Sequence, residues 1–179
     1  MAIRKRRSVA LSIALVGLMA ASIECVKLAL AFLPNVEAVT LLIALYSFTF
    51  GWLGIVAAAV FVCIEPLIWG FGTWFISYLI YWPLVAVVFF LFGRLKIKNR
   101  AILTLTAVGL TLFFGVLTSF VDVGLFSGSF DKIFYRFGIY YARGVLFYAV
   151  QTATNAVLFP LLFPTLSKKL SQLRQKMLI

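Results

Sequence analysis

Paired carboxylates can do general acid–base work, and the chain has five acids: Glu24, Glu37, Glu65, Asp122 and Asp131. Histidine is absent. That excludes a Ser-His-Asp triad, a histidine zinc site and a haem held by histidine. The two cysteines, Cys25 and Cys63, lie in apolar runs and read as small core residues rather than a disulfide or metal pair. No G-x-x-x-x-G-K-[ST] loop is present, so nothing here would cradle a nucleotide triphosphate. Of the acids, Glu24, Glu65 and Asp122 fall near membrane depth, but no motif joins them into a nucleophile or general acid–base pair. The chemistry left to such residues is binding, and no enzyme, metal or cofactor is expected.

The elements that must position them are membrane helices. Of 179 residues 64% are hydrophobic and 12% charged, with a mean hydropathy of +1.12. A soluble domain is roughly 45–50% apolar and about 25% charged. Apolar runs near twenty residues argue for helices over the short alternating strands of a transmembrane barrel. The net charge of +11 comes mainly from three blocks free of acids: Arg4, Lys5, Arg6, Arg7; Arg94, Lys96, Lys98, Arg100; and Lys168, Lys169, Arg174, Lys176. Blocks that flank apolar spans mark the cytoplasmic side rather than a nucleic-acid surface. Even numbers of spans must then separate them. Breaks at 33–35, 51–54, 69–72 and 122–138 predict an all-α integral membrane domain with six transmembrane helices, at about 8–32, 37–51, 54–69, 74–93, 101–121 and 139–165. Both termini are expected in the cytoplasm. Spans two and three are short for a hydrocarbon core of about 30 Å. A cleavable signal would compete for span one, but Glu24 and Lys27 interrupt the approach to its cleavage site. The basic tail from Leu166 to Ile179 reads as an amphipathic segment along the inner surface.

With this topology all five acids, together with Lys27, Lys132, Arg136 and Arg143, fall on the outer side. Charges within spans face an interior cavity or one another. Glu37, Asp131 and Lys132 read more simply as exposed loop charges. In span six Tyr140, Gly144, Tyr148, Gln151 and Asn155 share a face, with Asn155 deep enough to serve packing alone. In span five Thr104, Thr111, Gly115, Thr118 and Asp122 do the same. In span four Trp74, Tyr78, Tyr81 and Trp82 share a face, and Trp69 precedes them. An interfacial aromatic belt accounts for part of this set. Trp82 lies roughly 12 Å below Trp74 at helical rise, deeper than a belt requires. The candidate binding residues are Lys27, Asn35, Glu65, Trp69, Trp74, Tyr78, Trp82, Asp122, Tyr140, Arg143, Tyr148 and Gln151. In span one Ala10, Ala14, Gly17 and Ala21 form a stripe smooth enough for another helix to approach, and Glu24 extends it.

Six short spans, the A-x-x-x-A of Ala10 and Ala14, basic inner blocks and polar outer loops resemble the substrate-binding S-component of energy-coupling factor (ECF) transporters. The run Phe32-Leu33-Pro34-Asn35-Val36-Glu37-Ala38-Val39-Thr40-Leu41-Leu42 is similar to the start of the second span in one group of S-components. So are Phe50-Gly51-Trp52 and Glu65-Pro66-Leu67-Ile68-Trp69-Gly70-Phe71-Gly72. The resemblance covers essentially the whole chain. It implies a subunit of the bacterial plasma membrane that captures a vitamin from outside and topples to release it inward. Its partners would be a membrane scaffold subunit, docked through Ala10, Ala14 and Gly17, two ABC-type ATPases that consume the ATP, and membrane lipid. The lack of histidine speaks against the nickel and cobalt branch. The Pro-Asn-Val-Glu and Trp-Gly-Phe-Gly segments most resemble the cobalamin-specific type. Hydroxymethylpyrimidine, pyridoxine, pantothenate and a queuosine precursor stay open as ligands. Other readings are a ligand-free structural subunit, a membrane enzyme, or a self-sufficient secondary transporter, although no repeat relates 8–93 to 101–165.

Overall fold

In the computed structural model, residues 2–126 and 132–177 are described, with side chains from residue 9 onward and excluding 126. Asp131, expected as a loop charge, lies outside the described residues. The described residues form six helices: α1 (Ala2–Leu30), α2 (Val39–Phe50), α3 (Trp52–Trp69), α4 (Thr73–Arg94), α5 (Arg100–Phe126) and α6 (Ile133–Lys176). Five of them are long and apolar enough to cross a membrane. The sixth, α2, has 12 residues. At 1.5 Å per residue it covers about 18 Å, too little for a hydrocarbon core of about 30 Å. The expectation of six helices is met, but α2 is not a span by its own length.

Local chemistry sets the helix ends. Gly51 alone separates α2 from α3, with φ of 68°, a left-handed conformation that a side chain would strain. Asn99 caps α5, its Oδ1 accepting from the amides of Ala101 (2.9 Å) and Ile102 (3.3 Å). Two expectations are corrected at α6. It starts six residues earlier than predicted, and the basic tail is no separate surface segment. The helix runs unbroken through Pro160 and Pro164 to Lys176.

The short helix α2 sits at the centre and touches α1, α3, α4 and α6. Nine of its 12 residues are buried. Lipid tails are as apolar as leucine, so what holds such helices together is close packing rather than exclusion of water. Two glycines make that approach possible. A Cβ on Gly54 would lie 2.4 Å from the backbone of Ser47, and one on Gly93 would lie 2.3 Å from the carbonyl oxygen of Phe48. Phe61, Phe89, Phe159 and Phe163 fill the core around α2, the last two rings stacked at 5.5 Å. The cysteines correct the sequence reading. Cys25 and Cys63 are exposed free thiols on the outer surface of the helices, not core residues.

The stripe on α1 faces outward. Ala10, Ala14, Gly17 and Ala21 are all exposed, and a Cβ on Gly17 would meet nothing within 4 Å. Leu15 and Met19 on the other face pack with Leu53 and Ala57 of α3. Glu24, which extends the stripe on an ideal helix, is buried instead.

Candidate functional site

The length of α2 creates the site. Its last turns meet Gly93 of α4, so its first residues reach only the level of Tyr81 and Trp82. Residues 73–80 of α4, about 12 Å of helix, rise above it. The space over the start of α2 is a cavity of about 400 Å³. It opens where α1, α3 and α5 finish and α2, α4 and α6 begin, at the end of the bundle opposite the Arg94–Arg100 and Lys168–Lys176 blocks.

The floor is polar and tied to α2. The Oε2 of Glu37 accepts from the amide of Thr40 (2.9 Å), and Oε1 accepts from the Thr40 hydroxyl (2.7 Å). A carboxylate at a helix N-terminus is favoured by the exposed amides and the helix dipole. The Nδ2 of Asn155 donates to the same Oε1 (2.6 Å) and is 3.0 Å from the Thr111 hydroxyl. One network thus links α2, α5 and α6. Glu37 is therefore no free loop charge. Asn155, expected to serve packing, does bridge helices, and the bridge is the cavity floor.

The walls are aromatic. Tyr78, Tyr81 and Trp82 come from α4, Phe114 from α5, Phe147 from α6 and Trp69 from α3. Tyr81 and Trp82 pack edge-on at 4.7 Å, and Tyr81 lies 4.7 Å from the Phe114 ring. On the α1 side stands Lys27, ion-paired with Glu65 of α3. Its ammonium lies 5.4 Å from the Trp69 ring centroid, 5.5 Å from that of Tyr78 and 5.9 Å from that of Phe61, within cation–π range. Glu65 is fully buried behind it, and Glu24 lies close to both. Two groups of the lining carry unpartnered buried atoms, the indole Nε1 of Trp82 and Oε1 of Gln151. One donates and the other accepts.

Of the twelve candidate binding residues, the structure brings Lys27, Asn35, Trp69, Tyr78, Trp82 and Gln151 to the cavity. Glu65 stands behind Lys27 without lining the space. Trp74 forms a second layer, edge-on to Tyr78 at 5.1 Å. Four more are turned elsewhere. Asp122 accepts a 2.6 Å bond from the Thr73 hydroxyl, fastening α5 to α4. Tyr148 packs against Gly115 and bonds the Thr118 hydroxyl at 3.1 Å, within the α5–α6 contact. Tyr140 and Arg143 are exposed on the outer face of α6. Sequence reasoning left out Glu37, Thr40, Tyr81, Thr111, Phe114 and Phe147. Tyr81 carried a signal, since it shares the aromatic face of α4. Thr111 lay on the marked face of α5.

Among the described residues no group of three potential metal ligands comes together. Comparison with protein-family models, with curated proteins and with solved structures gives no match to this chain.

Proposed function

We propose that the chain is the membrane-embedded substrate-binding subunit of an ATP-driven vitamin importer of the ECF type. The observation that carries this reading is the cavity over α2. It is open at one end of the bundle, closed at the other by the Glu37–Asn155–Thr111 network, walled by aromatics, and supplied with an unpaired donor and an unpaired acceptor. Small-molecule sites have this composition, mostly apolar surface with a few placed polar groups, and volumes of about 300–1,000 Å³. By the positive-inside rule the basic blocks at the closed end support a cytoplasmic placement of that end and an outward-facing cavity. The outward-facing Ala10, Ala14 and Gly17 supply the face on which a scaffold helix would dock. ATP hydrolysis then belongs to the partners, since this chain holds no phosphate loop.

The volume of about 400 Å³ accepts a one- or two-ring compound whole. Cobalamin, the first choice from the sequence, is far larger and would place only one edge in the cavity. The exposed Phe32, Leu33, Trp69 and Phe71 around the mouth would cover part of the remainder. Hydroxymethylpyrimidine, pyridoxine, pantothenate and a queuosine precursor are the smaller alternatives.

The test is a thermal-shift screen of the detergent-purified chain against these five compounds. A ligand at 100 times its dissociation constant that binds only the folded state stabilises it by about 2.7 kcal/mol. A shift with one compound, abolished by Trp82→Ala, is the expected result. A set of flat responses, repeated after reconstitution with a scaffold and ATPases, would remove the transport reading in favour of a structural subunit.

A further inference from the structure

We propose that the basic end of the bundle holds a second site, which takes the phosphate of an anionic phospholipid headgroup. A cavity of about 450 Å³ lies there, between the end of α2, the start of α5 and the last third of α6. Lys98 stands on one side and Lys168 on the other, with Gln172 and Gln175 beside them. Leu103 and Phe163 make the wall toward the bundle core. The space is amphipathic, with cations and amides toward the end of the bundle and hydrocarbon toward its middle.

Charge bookkeeping identifies the occupant. The acidic side chains among the described residues, Glu24, Glu37, Glu65 and Asp122, all sit at the opposite end. Among the described residues no acidic side chain lies at the end that carries Lys98 and Lys168, and the ion pair among them is the distant Lys27–Glu65. A phosphate held between the two lysines would supply the counter-charge that the described residues do not. The hydroxyl donors of the lining are already used. The Ser167 and Ser171 hydroxyls donate to the carbonyls of Pro164 (3.1 Å) and Ser167 (2.7 Å). The walls are also held in place: Arg174 Nη1 donates to the carbonyl oxygen of Thr49 (2.6 Å), fastening the tail of α6 to the end of α2. Basic pockets between helices at the membrane surface suit phospholipid headgroups, and a phosphate between two ammonium groups gains charge-assisted hydrogen bonds. The apolar inner wall favours a lipid, whose glycerol and first methylenes it would cover, over a free phosphate.

The experiment is native mass spectrometry of the detergent-purified full chain with dioleoyl phosphatidylglycerol or dioleoyl phosphatidylcholine. The expected result is retention of phosphatidylglycerol at about tenfold lower lipid concentration than phosphatidylcholine. Lys98→Gln with Lys168→Gln should abolish that preference. Lys98→Arg with Lys168→Arg should keep it, which separates lost charge from lost fold. Arg94→Gln with Lys169→Gln removes the same charge outside the cavity and should also keep it. Equal loss in the two Gln pairs, or no preference in the parent chain, would overturn the proposal and leave the patch to general surface attraction or an acidic protein partner. Competition by glycerol 3-phosphate as strong as by short-chain phosphatidylglycerol would overturn the lipid as occupant.

Discussion

Lys27 and Glu65, 38 positions apart on α1 and α3, form an ion pair at the edge of the cavity in which the acid is 1% exposed and the base 24%. The base is therefore the half that a ligand can reach, and the acid is the half that depends on its partner. Removing one member of a buried pair leaves an uncompensated charge, which costs more than the pair itself contributes. Lys27→Met should lower the stability of the purified chain by about 2 kcal/mol, and adding Glu65→Gln should recover part of the loss. Thermal unfolding of the single and double variants checks this. Additive losses would mean that the two side chains do not depend on one another.

Trp82 offers a finer test of the binding reading than its removal. Trp82→Phe keeps an aromatic wall and deletes the unpartnered indole N–H. If that group meets the ligand, affinity should fall by about 1 kcal/mol, a factor of about five, with little change in stability. Titration with whichever vitamin shifts the melting temperature gives the answer. An unchanged affinity would assign Trp82 to packing.

Gly54 and Gly109 make a contrasting pair. A Cβ at Gly54 meets backbone, which cannot give way as a side chain does, whereas a Cβ at Gly109 meets nothing within 4 Å. Gly54→Ala should part α2 from α3 and cost about 1–3 kcal/mol. Gly109→Ala should be neutral or stabilising, by up to about 1 kcal/mol, because alanine is the better helix former. Melting temperatures that fall equally in both would show that α2 is not packed as tightly as described.

Ala14→Trp places a large ring on the exposed stripe of α1, on the side of the helix away from Leu15 and Met19. It should weaken co-purification with a scaffold subunit and leave the vitamin-induced thermal shift intact. Loss of both, in protein that still elutes as a folded species, would remove Ala10, Ala14 and Gly17 as a docking face.

How far the residues spoke for themselves varies along the chain. Helix positions followed from hydropathy, and the Gly51 and Trp69–Gly72 breaks fell where predicted, because glycine punctuates apolar runs. The depth of Trp82 was readable from helical rise alone. The cysteines were misread because in a membrane protein the outward face is as apolar as the core, so local apolarity says nothing of burial. Glu37 was misread because its partner across the bundle, Asn155, is 118 positions away, and only assembly makes it a floor. Tyr148 and Gln151 share a face of α6, yet one lies against α5 and the other against the cavity. Gly115 admits the Tyr148 ring, and a one-helix pattern does not contain that neighbour.

Asn155 falls at the midpoint of the 44-residue α6 and is its one fully buried polar residue among those described. About 33 Å of helix extends from it in each direction. Gln151 and Phe147 stand on one arm and Lys168 and Gln175 on the other. The helix is in this sense a beam on a fulcrum. A tilt of about 10° around Asn155 would swing the two ends by about 6 Å in opposite directions, so that the cavity mouth and the lysine-lined pocket would change width together.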